Sequence, residues 1–257
     1  MQVISSTRHR ATPVLFAAIV AFLFAPACSG RLPNHAAGTS PHSNREALWL
    51  DAGNAEWRKP APPVSHLRFE TTKGIFVLEL VRAWGPIGAD RFYNLARLGY
   101  YDDTRFHRVN KNYIAQFGIH GNPAVNAAWK DHFLQDDPPR SNNARGTFAF
   151  AFKAQPNTRN TQIYINLADN ARNNAEAFTV LGTVIEGMSV LDSLYSGYGE
   201  NSGSGMRQGR QGPLLDGGNE YMDREYPRLD RIHHVTVTAA RPRAGQPPSG
   251  PLRPERE

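Results

Sequence analysis

Apolar and polar residues alternate in two neighbouring stretches of the chain. Residues 67–71 read Leu-Arg-Phe-Glu-Thr, and residues 76–80 read Phe-Val-Leu-Glu-Leu. The segment Thr72-Lys73-Gly74 connects the two stretches. A period of two is typical of half-buried strands, and glycine permits a tight turn between them. The pattern predicts an antiparallel hairpin.

Between Pro86 and Gly99 the apolar residues recur at helical spacing instead. Phe92, Leu95 and Ala96 would share one face of a helix, with proline at its start and glycine as its C-terminal cap. This predicts a helix over residues 89–98 that lies against a sheet. A second helix is predicted over residues 186–195.

Short apolar segments separated by Gly, Pro, Asn and Asp fill most of the remaining chain. They predict strands at residues 106–109, 114–117, 146–150, 162–166 and 177–181, and a last strand at 235–238 within the segment 233–240. Evenly spaced short strands are typical of a β-barrel or a β-sandwich. The pattern therefore indicates a mainly β domain over residues 65–241.

The composition fits one globular domain with appendages. The chain has 257 residues, of which 40% are hydrophobic and 20% charged, enough for a single sizeable core. Its net charge is +6, which becomes +4 (6 − 2) if Arg8 and Arg10 are removed with a leader. So modest an excess does not indicate a nucleic-acid-binding protein.

The N-terminus has the features of an export signal. Arg8 and Arg10 precede an apolar run from Val14 to Phe24, and Ala25-Pro26-Ala27-Cys28 follows. The run is shorter than the roughly 20 residues that span a membrane. We interpret residues 1–27 as a lipoprotein-type signal peptide, with Cys28 acylated and the protein anchored to the cell envelope. The alternative is conventional cleavage after Ala27.

Three further segments are assigned from composition. Residues 28–64 are rich in Pro, Ala and Gly and predict a tether. Leu48-Trp49-Leu50 and Trp57 are more apolar than a tether requires, and the alternative is that part of this arm packs back onto the domain. Residues 197–218 form a glycine-rich insertion, interpreted as a surface loop. Residues 242–257 are predicted to be a disordered tail.

Two motifs together resemble the cyclophilin-type peptidyl-prolyl cis-trans isomerases. They are Phe106-His107-Arg108-Val109 with Tyr113-Ile114-Ala115-Gln116-Phe117-Gly118, and the segment 157–166. The resemblance runs from about His66 to Ala240. It implies a closed eight-stranded antiparallel β-barrel capped by two α-helices, and an enzyme that rotates X-Pro peptide bonds without a cofactor.

The chemistry of that rotation identifies Arg108 as the expected catalytic residue. The amide is conjugated, so the barrier to rotation is about 20 kcal/mol. A guanidinium that hydrogen-bonds the prolyl nitrogen favours the twisted amide over either planar ground state. Gln116, and with it Gln162, would orient Arg108 and the substrate backbone. His107 is interpreted as a structural histidine.

The resemblance also implies an apolar pocket for the proline ring. Its expected residues, besides Gln162, are Tyr113, Ile114, Ala151, Tyr164, Phe178 and Leu181. The family commonly has phenylalanine where Tyr113, Tyr164 and Leu181 stand here. The pocket is therefore expected to be more polar at two positions and smaller at the third.

No metal is expected. His120, His132, His233 and His234 match none of the usual zinc spacings, and Cys28 is the only cysteine. A Ser-His-Asp site would need a serine in a sharp nucleophile turn, and Ser204 lies in low-complexity sequence instead.

The leading hypothesis is an exported isomerase that assists the folding of extracytoplasmic polypeptides containing proline. The alternative is a non-catalytic module that binds or scaffolds proline peptides. The presence of both Arg108 and Gln116 favours the enzyme, whereas the residues at positions 113, 164 and 181 favour the binding module.

Overall fold

Eight antiparallel strands form one curved sheet in the computed structural model, which describes residues 41–153, 155–176, 178–201 and 211–240. The strands are β1 (Val64–Thr71), β2 (Gly74–Val81), β3 (Arg108–Val109), β4 (Ile114–Phe117), β5 (Thr147–Phe150), β6 (Ile163–Asn166), β7 (Val180–Glu186) and β8 (Ile232–Ala240). Their order is β3-β4-β6-β5-β7-β2-β1-β8. The predicted mainly β, eight-stranded antiparallel architecture is confirmed.

The two edges of this sheet meet at one end. Arg105, three residues before β3, and Arg231, the residue before β8, form a bridge between the edges. The Phe106 amide donates to Asp230 O at 2.9 Å, and the Ile232 amide donates to Thr104 O at 2.9 Å. The closure predicted for the barrel thus consists of this short contact rather than a continuous strand ladder.

The predicted antiparallel hairpin is formed by β1 and β2. Thr71 pairs with Gly74 at the turn, and Phe69 pairs with Phe76 two residue pairs further in. Gly74 has φ = +123°, a conformation that residues with a side chain rarely adopt. The glycine therefore accounts for the tight turn.

Five α-helices surround the sheet in the described part of the chain. They are α1 (Pro41–Leu50), α2 (Pro86–Arg97), α3 (Pro123–Trp129), α4 (Met188–Asp192) and α5 (Gly212–Glu225). The two predicted helices correspond to α2 and α4. The second is shorter than predicted, because β7 continues to Glu186 and Gly187 turns with φ = +77°. The strand predicted at 177–181 begins at Val180.

Residues 41–64 pack onto the domain, which is the alternative that the tryptophans indicated rather than an extended tether over this stretch. Trp49 of α1 donates its Nε1–H to Leu98 O at 3.0 Å, and Trp129 donates to Trp49 O at 2.8 Å. Trp57 is only 1% exposed and lies edge-on to Trp129, with ring centroids 5.0 Å apart. The tryptophans bury this arm because their apolar area is large.

The glycine-rich insertion also contains ordered structure. Residues 212–218, predicted as part of a surface loop, form the start of α5, where Leu214 and Met222 pack against Ile119. The predicted signal peptide, Cys28, residues 202–210 and the tail 242–257 lie outside the described residues.

Alternate residues of the strands separate two apolar clusters. Val109, Ala115, Ile165 and Phe148 follow one another across β3, β4, β6 and β5 and belong to the main core. Their neighbours along the strands point to the opposite face of the sheet. That face carries the smaller apolar cluster and the candidate site.

Candidate active site

Four residues form a row across the outer face of the sheet, which we call the outer row. Arg108 of β3 pairs with Gln116 of β4, Gln116 pairs with Tyr164 of β6, and Tyr164 pairs with Ala149 of β5. Residues directly opposite each other on one face lie about 5 Å apart. Strand register therefore brings the predicted catalytic pair beside the predicted pocket.

Arg108 is a charged residue that is only 4% exposed, and neighbouring side chains hold its guanidinium in place. Its Nη1 donates to Gln116 Oε1 at 3.1 Å. Its guanidinium carbon lies 5.6 Å from the centre of the Tyr113 ring, a cation–π distance. The arginine thus lies between an amide and an aromatic face.

Gln116 also begins a line of side-chain amides, which we call the amide chain. Gln116 Nε2 donates to Gln162 Oε1 at 2.7 Å, and Gln162 Nε2 donates to Gln211 Oε1 at 2.8 Å. Gln116 and Gln162 each donate a side-chain N–H to the next amide. Because this fixes which end of the Gln116 side chain is the NH₂ group, its oxygen is directed at Arg108. This agrees with the orienting role expected of Gln116 and Gln162.

The apolar pocket lies immediately beside the outer row. Its residues are Tyr113, Ile114, Ala149 and Tyr164, with Ala151 and Phe178 packed against them. The rings of Tyr164 and Phe178 meet edge to face, with centroids 5.4 Å apart. The pocket opens into a cavity of about 710 Å³ that Arg108 and Gln116 also line. Five of the expected pocket residues therefore lie together here.

Both tyrosine hydroxyls in the pocket are bound by asparagine side chains. Tyr164 donates to Asn143 Oδ1 at 2.7 Å, and Tyr113 donates to Asn173 Oδ1 at 3.3 Å. Burial, the largest cause, raises the pKa of Tyr164 well above its ordinary value, so this phenol stays neutral. The expected extra polarity of the pocket is thus largely taken up by the protein itself.

Leu181 does not lie in the apolar pocket, which corrects its assignment as a substrate-binding residue. It belongs to the main core and is 1% exposed, and its side chain packs against the backbone of Gly85 and Gly88 at the start of α2. The reason is a register shift in β7. Val180 pairs with Ala149 and Gly182 with Phe148, so Leu181 has no direct partner on β5.

His107 lies beside the catalytic candidate in sequence but on the inner side of β3. It is 0% exposed. Burial first, and the positive charge of Arg108 second, lower its pKa to about 3, against hydrogen bonds to Gln162 and the Arg105 backbone. A ring that stays neutral across the physiological range does not serve as an acid here, which agrees with its structural interpretation.

Two polar residues of the site were not found from the sequence. Glu200 accepts from Arg108 Nε at 2.8 Å and from Nη2 at 2.9 Å, and Gln211 ends the amide chain. Both come from the insertion, about 90 residues or more along the chain from Arg108. No local pattern marks such a long-range pair.

The histidines considered for metal binding are dispersed. In the part of the chain that the structure describes, no group of three His, Cys, Asp or Glu side chains could hold a metal ion. His120 instead packs between the rings of Trp49 and Tyr100, each with centroids 5.0 Å away.

No helix among the described residues is long and apolar enough to cross a membrane.

Comparisons with known proteins agree with this arrangement. The family model "Cyclophilin type peptidyl-prolyl cis-trans isomerase/CLD" matches residues 66–210. A peptidyl-prolyl cis-trans isomerase of Acinetobacter baylyi is 31% identical over 132 residues, 50% of this chain and 70% of the relative. The peptidyl-prolyl cis-trans isomerase B of Escherichia coli is 27% identical over 178 residues, 66% of this chain and 98% of the relative.

A solved structure shows the same fold. The crystal structure of a cyclophilin type peptidyl-prolyl cis-trans isomerase from Cryptosporidium parvum superimposes with a TM-score of 0.50 and 21% identity, covering 69% of this chain and 99% of that one. The chain belongs to the cyclophilin-type peptidyl-prolyl cis-trans isomerase family. The family and the reaction expected from the two motifs are thereby confirmed.

Proposed function

We propose that this isomerase acts on proline-containing segments of extracytoplasmic polypeptides, with Arg108 as its catalytic residue. The observation that carries the proposal is the position of Arg108. Its guanidinium borders the 710 Å³ cavity beside the apolar pocket and is oriented by Gln116. A prolyl ring in the pocket would place the preceding amide next to a fixed cation.

The reaction requires only that the twisted amide be bound more tightly than the planar one. In the twisted state the nitrogen lone pair leaves conjugation and accepts a hydrogen bond, which a planar amide nitrogen does not do well. An N–H of Arg108 directed at this nitrogen stabilises the transition state selectively. No proton is transferred, which is consistent with a His107 that stays neutral.

The apolar pocket would supply binding and orientation. Tyr113, Ile114 and Phe178 offer apolar area to the ring, while Gln162 lies at the edge of the cavity as a partner for the substrate backbone. Holding the ring still lets the preceding carbonyl rotate. The binding energy thus comes from apolar contact, and the rate acceleration comes from Arg108.

The test is the isomerisation rate of a short X-Pro peptide with the purified full chain. We expect acceleration by the wild type, and a fall in kcat/KM of about 100-fold in Arg108→Ala, an effect of the size that one electrostatic donor gives. Arg108→Lys should also lose most activity, because lysine lacks the planar fork. Arg145→Ala, an exposed arginine paired with Asp192, is the matched control.

The alternative function gives a different result in the same assay. A folded wild type that binds proline peptides without accelerating isomerisation would identify a binding module. The tyrosines at positions 113 and 164 were the residues that favoured that alternative. Their hydroxyls are bound to Asn173 and Asn143, so the added polarity that favoured the binding module is taken up within the protein, which supports the enzyme.

We also propose that the protein is exported and acylated at Cys28. The support is the sequence of the leader: two arginines, an apolar run and Cys28 after a small-residue triplet. Because α1 begins at Pro41, twelve residues (40 − 28) would separate the lipid from the domain, a reach of at most about 40 Å. Such an anchor would keep the isomerase close to the membrane surface.

Fractionation tests this proposal. We expect the full chain, expressed in a bacterium, to be found in the membrane fraction and to incorporate labelled fatty acid. Cys28→Ser should lose the label and leave the membrane. A wild type that is cut after Ala27 and carries no fatty acid would support the conventional signal peptide instead.

A further inference from the structure

We propose that Glu200 is a positioning residue for the isomerase reaction: it fixes the guanidinium of Arg108 from outside the cavity. This inference rests on the proposed function of Arg108. Nothing in the family motifs points to Glu200, since it lies in the insertion and 92 residues from Arg108.

The contact has the geometry of a strong ion pair. The two Glu200 oxygens accept separately from Nε and Nη2 of Arg108, at 2.8 and 2.9 Å. Two parallel charge-assisted bonds fix both the position and the plane of a guanidinium. Arg108 is 4% exposed in this pair while the Glu200 side chain is 41% exposed, so the carboxylate is the partly solvated partner.

An account of the guanidinium N–H groups shows what remains for a substrate. Arginine has five such hydrogens. Glu200 takes one on Nε and one on Nη2, and Gln116 takes one on Nη1. Among the described residues, one hydrogen on Nη1 and one on Nη2 have no acceptor. The pair therefore fixes the arginine while leaving donors for the reacting amide.

The side from which Glu200 approaches Arg108 shows whether it positions the arginine or blocks the substrate cavity. Arg108, Gln116 and Gln162 line the 710 Å³ cavity, and Glu200 does not. A carboxylate that occupied the substrate position would itself line that space. Glu200 thus holds Arg108 from outside it and leaves the pocket open.

The position of β3 explains why such support is needed. This strand has only two residues, Arg108 and Val109, and it stands at the edge of the sheet with β4 as its one ladder partner. On the β4 side Gln116 supports Arg108. Without Glu200, the Gln116 amide and the face of Tyr113 would have to hold a long side chain with many rotamers, and small misplacements of a reacting group are costly.

The direction of the effect follows from two opposed contributions. The carboxylate partly neutralises the guanidinium, which weakens its donated bond, and it also removes the rotational freedom of Arg108. The acceptor is the lone pair of a neutral amide nitrogen, which becomes available only in the transition state. The alignment of the Arg108 N–H with this lone pair therefore matters more than the net charge of the pair. Removal of Glu200 should therefore slow the reaction.

The experiment compares Glu200→Ala and Glu200→Gln in the full chain, with Asp192→Asn as the matched control. Both oxygens of Asp192 accept from Nη2 of Arg145, at 2.8 and 2.7 Å, and neither residue lines the cavity. We expect kcat to fall about tenfold in Glu200→Ala, or about 1.4 kcal/mol, with KM changed less than twofold. Glu200→Gln, which keeps one acceptor, should fall about threefold, and Asp192→Asn should match the wild type.

A second measurement does not depend on activity. The Nε–H signal of Arg108, assigned by its loss in Arg108→Lys, should exchange slowly with solvent in the wild type and fast in Glu200→Ala, but not in Asp192→Asn. A wild type without isomerase activity would refute the proposed function while this signal still reported the pair. An unchanged signal in Glu200→Ala, or kcat equal to or above the wild type, would overturn the role of Glu200.

Discussion

Arg108 and Gln116 are direct partners in the register of β3 and β4, and their side chains meet with Nη1 3.1 Å from Oε1. The hydrogen bond therefore follows from the backbone pairing, which sets the two Cα atoms opposite each other on one face of the sheet. The eight-residue spacing in the sequence is the separation that results when β3 and β4 pair across the connection 110–113.

Replacing Gln116 by leucine should impair catalysis without unfolding the protein. The change removes the acceptor of Arg108 and the donor to Gln162, while a side chain of similar size remains. We expect kcat/KM to fall about tenfold, within the range for a lost orienting hydrogen bond. Gln211→Ala, at the far end of the amide chain, should fall less than threefold; an equal loss in both would contradict a graded role.

Replacing Tyr164 by phenylalanine should cost stability rather than activity. The hydroxyl donates to Asn143 at 2.7 Å in a buried setting, so its removal should cost about 1 kcal/mol of the free energy of unfolding. The isomerisation rate should stay within about twofold of the wild type, because the ring and not the hydroxyl meets the substrate. A large gain in rate would mean that the hydroxyl hinders substrate binding.

Acid should destabilise the fold through two buried histidines. The pKa of His107 is about 3 and that of His120 about 4, both lowered mainly by burial from the ordinary 6.5. The unfolded chain therefore binds protons first, so stability is unaffected above about pH 6.5 and is lost as the pH falls towards these values. Each histidine should contribute about 2 kcal/mol of loss between pH 6.5 and about pH 5.

Urea unfolding at about pH 7.5 and about pH 5 measures this loss. In His120→Gln the difference between the two conditions should shrink by about 2 kcal/mol, whatever the absolute stability of the variant. His233→Gln, at an exposed position, should leave the difference unchanged. A His120→Gln variant as acid-sensitive as the wild type would count against the burial argument.

Trp57 should be as important to stability as a core residue, although it lies in the segment predicted to be a tether. It is 1% exposed and contacts Trp129 edge-on. Trp57→Ala should lower the free energy of unfolding by about 3 to 5 kcal/mol. Leu50→Ala, at a residue 44% exposed, should change it by less than about 0.5 kcal/mol. Equal small effects would indicate that the arm is detached in solution.

Gly182 should tolerate no side chain. A Cβ there would lie 1.9 Å from the Glu79 carbonyl oxygen and 2.9 Å from the Phe148 ring, so a strand backbone would have to move. Gly182→Ala should cost about 3 kcal/mol. Gly212→Ala, where a Cβ meets nothing within 4 Å, is the control for denaturant unfolding and should be close to neutral.

The parts of the fold that the sequence predicts well are those set by neighbouring residues. The hairpin of β1 and β2, helix α2 and strand β4 depend on periodicity and on a few turn residues, so their positions were predicted closely. Leu181 was misassigned because a bulge in β7 changes the pairing, and a bulge leaves no trace in the alternation of residue types. Glu200 was missed because it reaches Arg108 only through the folded path of the chain.

The register of β4 has a consequence for how the protein is made. Within four consecutive residues, Ala115 and Phe117 point into the core, while Ile114 and Gln116 line the cavity on the opposite face. A slip by one residue would put an amide into the core and a phenyl ring beside Arg108. A molecule with this register would lose its core packing and its activity together. A newly synthesised chain that reaches the stable fold therefore also has its active-site residues on the correct face.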